Sequence, residues 1–271
     1  MRTGPLALVV ILGVLAGACS APSNTDGATP SALSSGLMYG ADLVCDTNNQ
    51  EAREAYNEGM TSADKGDTGA ATLAYRRAIE LDPGYCDAMD NLGVLLRQEG
   101  KTAEAIEWYR KSLALAPDNP VAHMNLGVAL RLQGDLDGAE TEYLALVEID
   151  PTNPEGHYGL GIDDLDWGKP MDAIPHLTRA KELYQASSSP WESDADFQLG
   201  VAYAMSEDCA TALTYSESLY SANPENPDLH WYMGVCYVMP GTEDLELAKK
   251  HLLEAQRLGV EIPEDLKSVI E

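Results

Sequence analysis

The sequence predicts an all-α fold, a row of stacked helix-turn-helix hairpins, and three regularities carry that expectation. Gly59, Gly93, Gly127 and Gly161 stand 34 residues apart, and Gly200 and Gly234 continue the series after one step of 39. Pro83, Pro117 and Pro151 keep the same 34-residue period, and Pro224 follows 73 residues on, one long step plus one ordinary step. Ala71, Ala105, Ala139, Ala173 and Ala212 form a third ladder beside Tyr75, Tyr109, Tyr143 and Leu177. A fixed period of this length marks a repeat architecture. In such a chain each unit hides its apolar side only against the next.

Taken in order, the units are residues 52–85, 86–119, 120–153, 154–187, 193–226 and 227–262. A small residue at unit positions 8 and 20 lets the two helices of a hairpin approach closely, and the aromatic near position 24 fills the wedge between units. Proline near position 32 ends the second helix and forbids its continuation. The turns KGDTG, EGKTAE, QGDLDG and WGKPMD supply the helix-stop chemistry between paired helices. The fourth unit departs from this pattern. Asp164 takes an apolar place, and Pro175 falls within the second helix, which is therefore expected to start near Asp172 so that Pro175 lies in its first turn. Ser188 to Glu192 form a longer connection before the fifth unit, and Met239 to Glu246 a longer turn in the sixth. Residues 263–271 read as a short helix capping the end of the stack.

The segments NLGVLLRQEGKTAEAIEWYRKSLALAPDNP and NLGVALRLQGDLDGAETEYLALVEIDPTNP carry all of these positions. At these residues the chain resembles the tetratricopeptide repeat (TPR) family. The resemblance implies a right-handed TPR superhelix, an α-solenoid of six hairpins over 51–271. It also implies a non-catalytic scaffold that binds proteins.

Composition narrows the function further. The chain is 45% hydrophobic, with one Phe against 13 Tyr, a balance that suits small helix–helix contacts better than one thick core. Its formal charge is −27, from 17 basic and 44 acidic residues. Such a field repels phosphate backbones, so nucleic acid is excluded as a partner, and it attracts basic ones.

Residues 1–18 read as a secretory signal: Arg2, an apolar run from Leu6 to Leu15, then Ala16, Gly17 and Ala18. The run is too short to span a bilayer stably. The following segment, LAGACS, resembles the lipobox of bacterial lipoproteins. That resemblance implies lipidation of Cys19 and anchorage to a membrane, the outer one in view of Ser20, facing the periplasm. Ordinary cleavage after Ala18 fits the same residues and would leave a soluble periplasmic protein. Residues 19–50, rich at first in Ser, Ala, Thr, Pro and Gly, read as a flexible tether.

Cys45, Cys86, Cys209 and Cys236 remain, an even number in an exported chain, and four cysteines allow three pairings. In a TPR stack successive first helices run side by side, which places Cys45 with Cys86 and Cys209 with Cys236. Those two disulfides are the expected pairing, with buried thiols as the alternative. His123, His157 and His230 share unit position 4 on different repeats, too far apart for one metal site, and read as packing residues. His176 and His251 read as isolated and partly exposed. Gly134–Gly138 and Asp64–Gly69 look like fragments of calcium loops but lack the closing Glu, and are read as capped turns. No nucleophile elbow, HExxH or phosphate loop occurs, so no enzyme activity, cofactor or metal is expected.

The resemblance also says where a partner would lie, along first-helix positions 2, 5, 6, 9 and 12. Asn91 and Asn125 resemble part of an asparagine ladder that grips a peptide backbone, with Arg97 and Arg131 beside it. Tyr158, Phe197, Trp231 and Tyr232 are candidates for side-chain recognition, with packing inside the stack as the rival reading. Asp87, Val121 and Asp228 stand where the family's dicarboxylate clamp has basic residues, so that clamp is absent. The expected partner is an envelope protein or extended segment, apolar with basic flanks. A lipobox ahead of about six repeats looks like the pilotin lipoproteins that help insert type IV pilus secretins. The alternatives are therefore a pilotin-like assembly factor, or a domain that binds a small ligand or assists an enzyme.

Overall fold

The computed structural model describes residues 44, 45 and 47–271. The predicted signal, the lipidation residue Cys19 and the tether up to residue 43 lie outside the described residues. The regular structure of the described residues is all helical: α1 (Gln50–Asp64), α2 (Thr68–Leu81), α3 (Cys86–Gln98), α4 (Thr102–Leu115), α5 (Pro120–Leu132), α6 (Leu136–Ile149) and α7 (Pro154–Asp166) come first. They are followed by α8 (Pro170–Ala186), α9 (Glu192–Met205), α10 (Cys209–Ala222), α11 (Pro227–Cys236) and α12 (Leu245–Arg257), then a 3-10 turn, Glu264–Leu266, and a last short helix, α13 (Lys267–Ile270).

These helices form two compact units that divide within α7, between Gly159 and Leu160. In the N-terminal unit α1 pairs with α2, α3 with α4 and α5 with α6, while α2 also packs on α3 and α4 on α5. In the C-terminal unit α8 packs on α9, α9 on α10, α10 on α11 and α11 on α12, with α13 against α12.

The helix ends explain why the hairpins recur. Helices α5 and α11 are capped by asparagine followed by proline: Asn119 and Asn226 precede Pro120 and Pro227, and their side chains accept the N–H groups of the first turn. Proline at the first helical position has no N–H to satisfy and is already set to a helical φ. Helices α2, α6, α10 and α12 are capped by aspartate. The carboxylates of Asp67, Asp135, Asp208 and Asp244 accept from Ala70, Gly138, Thr211 and Leu247 at 3.0–3.1 Å. The chain turns through left-handed backbone at Gly66, Gly100, Gly134 and Gly168, each one residue before the N-cap of a second helix (Asp67, Lys101, Asp135 and Lys169), with φ of 74, 76, 81 and 70°. Glu207 occupies the same place in the fifth unit with φ 65°, a conformation that strains a residue bearing a Cβ.

The glycine and tyrosine ladders turn out to be one interaction. Tyr75, Tyr109 and Tyr143 are fully buried, and each ring lies flat on the position-8 glycine of its own hairpin. A Cβ on Gly127 would sit 2.7 Å from the Tyr143 ring, and one on Gly159 of the next helix 2.6 Å from it. This tyrosine therefore fills both the hairpin and the wedge beyond it. Leu177 meets Gly161 in the same way, and Leu252 meets Gly234.

Two local expectations are corrected. Helix α8 begins at Pro170 rather than near Asp172, because Pro170 itself supplies the first position, and Pro175 lies inside the helix. Its missing N–H leaves the carbonyl of Met171 without a helical partner, and Met171 is 68% exposed, so water can reach it. The end of the tether is not loose. Asp87 accepts hydrogen bonds from the backbone N–H groups of Val44 and Cys45 at 2.9 and 3.1 Å. Thr47 donates to Asp82, and Asn49 Nδ2 donates to the Leu81 carbonyl at 2.9 Å. Cys45 is joined to Cys86 and Cys209 to Cys236, with Cα separations of 5.4 and 5.1 Å.

Candidate functional site

Neighbouring first helices touch directly, α3 on α5 in the N-terminal unit and α9 on α11 in the C-terminal unit. Each pair presents equivalent repeat positions on a shared face, which is where a bound segment would meet them.

On α3 this face is polar yet buried. Asp87, Asp90 and Asn91 are each fully buried, as is Asn125 on α5. Asn91 Nδ2 donates to the Tyr56 hydroxyl at 3.0 Å and to Met60 Sδ at 3.3 Å, so the side chain ties α3 to α1. That corrects its reading as an open rung of a peptide-gripping ladder: an amide already committed on the inside cannot offer the same donors outside. Asn125 is likewise inside. Arg97 and Arg131 are partly exposed at equivalent positions on α3 and α5. Asp90 accepts from Asn119 Nδ2 at 2.7 Å, and burial pushes its carboxyl up to about 7 despite hydrogen bonds from Ser112 and Asn119.

Cys86, Asp87 and Asp90 place three potential metal-binding atoms within 4.8 Å of one another. The Cys86 sulfur is bonded to Cys45 and Asp87 is occupied by two backbone donors, so the trio serves as a fastening.

Of the aromatic candidates, Tyr158, Trp231 and Tyr232 are only 5, 5 and 8% exposed. As surface anchors they are corrected, because their rings are covered. Phe197 stays half-exposed and meets Tyr232 edge to face, ring centres 6.2 Å apart. Trp231 keeps one distinctive property: its indole N–H is buried and has no acceptor among the described residues. A buried donor left without an acceptor costs about 1–3 kcal/mol.

The histidines hold a relation that sequence reasoning missed. His123, His157 and His230 each turn Nε2 to the carbonyl of the proline six residues earlier, Pro117, Pro151 and Pro224, at 2.9, 3.4 and 2.8 Å. They brace the turn between repeats, and the signal was the recurring Pro-x5-His spacing. The hydrogen bond to Glu142, at 2.6 Å, holds His123 above its usual range. His251 corrects the expectation of partial exposure. It is 2% exposed and its Nδ1 lies 2.9 Å from Nδ1 of His230.

Two tetratricopeptide-repeat family profiles match, over residues 56–120 and 96–161. Residues 56–161 of the chain carry tetratricopeptide repeats. Solved structures extend the likeness of fold. A chain of the APC/C hetero-tetramer Cut9–Hcn1 aligns over 84% of this protein at 18% identity and TM-score 0.68. This protein spans only 44% of that chain's length. Pseudomonas aeruginosa pilF aligns over 79% of this protein and 94% of its own chain, at 23% identity and TM-score 0.66. YrrB, described as a TPR protein with an unusual peptide-binding site, aligns over 73% and 98%, at 23% identity and TM-score 0.59. No curated protein sequence matches the chain. The TPR repeats make it an interaction scaffold of a generally non-catalytic fold class.

Proposed function

We propose that this TPR protein is an exported adaptor of the bacterial cell envelope, held to the outer membrane by a lipid on Cys19. In this reading it binds an extended partner segment along its first-helix face. The observation that carries the binding reading is the partly exposed ring of Phe197 on α9, edge to face with Tyr232 of the neighbouring first helix α11. An apolar side chain of a partner segment can pack on this ring, and aromatic residues are favoured anchors at interfaces. With 44 acidic against 17 basic residues, the preferred segment is apolar with basic flanks.

Two experiments test the two halves separately. Metabolic labelling with a palmitate analogue should mark the wild-type protein and place it in the membrane fraction, and Cys19→Ala should abolish both. Unlabelled, soluble wild type would remove the anchor. Phe197→Ala removes the ring. It should weaken capture of a cross-linked envelope partner by roughly 5- to 30-fold, the range for truncating an interface anchor. Undiminished capture would remove the groove reading.

A second reading is a pilotin-like assembly factor for an outer-membrane secretin of type IV pili. What favours it is the combination of a lipobox-like segment with a repeat fold that matches pilF over 94% of that chain. Normal secretin multimers in a deletion strain would exclude it. The remaining alternative, a domain that binds a small ligand or assists an enzyme, calls for a thermal-shift screen.

A further inference from the structure

The end of the C-terminal unit holds a cluster that the binding reading does not use. His230 of α11 and His251 of α12 face each other with ring centres 5.0 Å apart and Nδ1 atoms at 2.9 Å, and both are almost wholly buried. Tyr220 of α10 stands edge-on to both rings, 5.4 and 5.5 Å away. Tyr237, at the end of α11, stacks on His251 at 5.9 Å. Imidazole against imidazole is thus a principal polar link between the two helices of the last hairpin.

The proton positions follow from the partners. His230 Nε2 lies 2.8 Å from the Pro224 carbonyl, and a carbonyl only accepts, so Nε2 carries the hydrogen. In neutral His230 Nδ1 is then an acceptor, and the 2.9 Å bond requires Nδ1–H of His251 as its donor. The arrangement therefore closes with both rings neutral. A proton arriving at His251 Nε2 puts a charge where burial strips it of water.

We propose that the last hairpin is an acid-sensitive latch, in which uptake of a proton at His251, buried against His230, releases α12 and the terminal residues behind it. The Cys209–Cys236 bond makes the release local. It ties the start of α10 to the end of α11, so α11 stays in place when its contact with α12 is lost. Nothing covalent holds α12 in that way beyond its own turn.

The surrounding charges agree with this. On its own helix His251 faces Lys250, a like charge to any imidazolium, while Glu254 is engaged by Arg257 at 2.7 Å and interacts electrostatically with His230, not with His251. From α10, Glu217 accepts from the Tyr237 hydroxyl at 3.1 Å. Arg257 also approaches Glu225 of the preceding turn, at 3.9 Å, and on α13 Lys267 pairs with Glu264. No carboxylate is therefore placed to neutralise a protonated His251 among these groups. Burial first, then His230 and Lys250, lower its pKa to about 4. The sign follows. Above the usual histidine range near 6.5 neither folded nor unfolded chain binds the proton and the latch is at full strength. Between about 6.5 and 4 only the opened form binds it, so stability falls as pH falls.

Hydrogen exchange on the full chain, disulfides intact, reads this directly. After correction for intrinsic rates, amides of α12 should exchange about tenfold faster for each pH unit of acidification below 6.5, one proton's worth. Those of α10 and α11 should change far less. Asn mimics Nδ1–H and Gln mimics Nε2–H, so the double variant His230→Gln/His251→Asn keeps the donors and cannot titrate. Its α12 exchange should not respond to pH in this range. Unchanged wild-type α12 exchange, a pH response that survives in the double variant, or equal loosening of α10, α11 and α12 would each overturn the latch. Should the double variant not fold, imidazole NMR of the wild type decides. His251 should hold its neutral signal through the usual range and change only as α12 opens, and ordinary titration near 6.5 with α12 still closed would defeat the idea.

Discussion

At the scale of single residues, the position-8 glycines separate into two kinds, and substitution exposes the difference. Gly127 lies under the Tyr143 ring, so Gly127→Ala forces a Cβ to 2.7 Å from it and must move a fully buried side chain. Gly200 holds the same repeat position, yet its nearest neighbour to an added Cβ is Tyr215 Cβ at 3.4 Å, because Ser216 stands where the other units carry a large residue. In urea titrations Gly127→Ala should lose about 1–3 kcal/mol to overpacking, while Gly200→Ala should be neutral or gain up to about 1 kcal/mol of helix propensity. Glu207 offers the converse. Relieving its left-handed φ of 65° by Glu207→Gly should raise stability by about 1 kcal/mol in the same assay.

These residues also show how much could be read in advance. The glycine ladder was plain from spacing alone, because glycine recurs at one position in every hairpin. That the partner is the tyrosine of the same hairpin was not legible, since spacing reports a period and not which side chain closes over which. The His230–His251 pair was missed for a related reason. The two residues fall at different unit positions, so no ladder joins them, and only the packing of α11 on α12 brings them together. Asn91 and Trp231 could be placed on the first helix by register, but burial depends on what lies across from them.

At the scale of elements, hairpins held by caps and ring-on-glycine contacts differ from those that also carry a covalent tie. Cys45 and Cys86 are 41 residues apart and Cys209 and Cys236 are 27 apart. Closing loops of this size restricts the unfolded chain by roughly 3–4 kcal/mol each. Reduction should therefore lower the melting temperature. In hydrogen exchange the loss should concentrate in α1–α2 and in α10–α11, with α5–α6 as the internal reference. Uniform loosening, or no free-thiol difference between the native and reduced forms, would show that the bonds do not act this way. The element boundaries themselves were largely readable from Asn-Pro and Asp caps. The exception, α8, starts two residues before the expected cap because Pro170 is as good a first residue as any.

Across the whole molecule, the pH response should differ in sign between the units. Burial holds the Asp90 carboxyl at about 7, well above the unfolded value near 3.9, so the folded N-terminal unit binds a proton that the unfolded chain releases. Its contribution is fully present below about pH 4 and is lost as pH rises through 7. Asp90→Asn keeps the acceptor for Asn119 and removes the titration. It should stabilise the N-terminal unit by roughly 1–3 kcal/mol at pH 8 and have little effect at pH 4.5, as read by hydrogen exchange of α3 and α4. A pH-independent effect would place the cost elsewhere.

The fastening at Cys45 has a mechanical consequence. Tension applied to the chain upstream of Val44 reaches Cys45 and crosses the sulfur bridge into the start of α3. Helices α1 and α2 lie between the bridged residues, on the slack branch of that loop. A pull from the tether would load the array at its second hairpin and leave the first one unstretched, to unravel only if the bridge were cut.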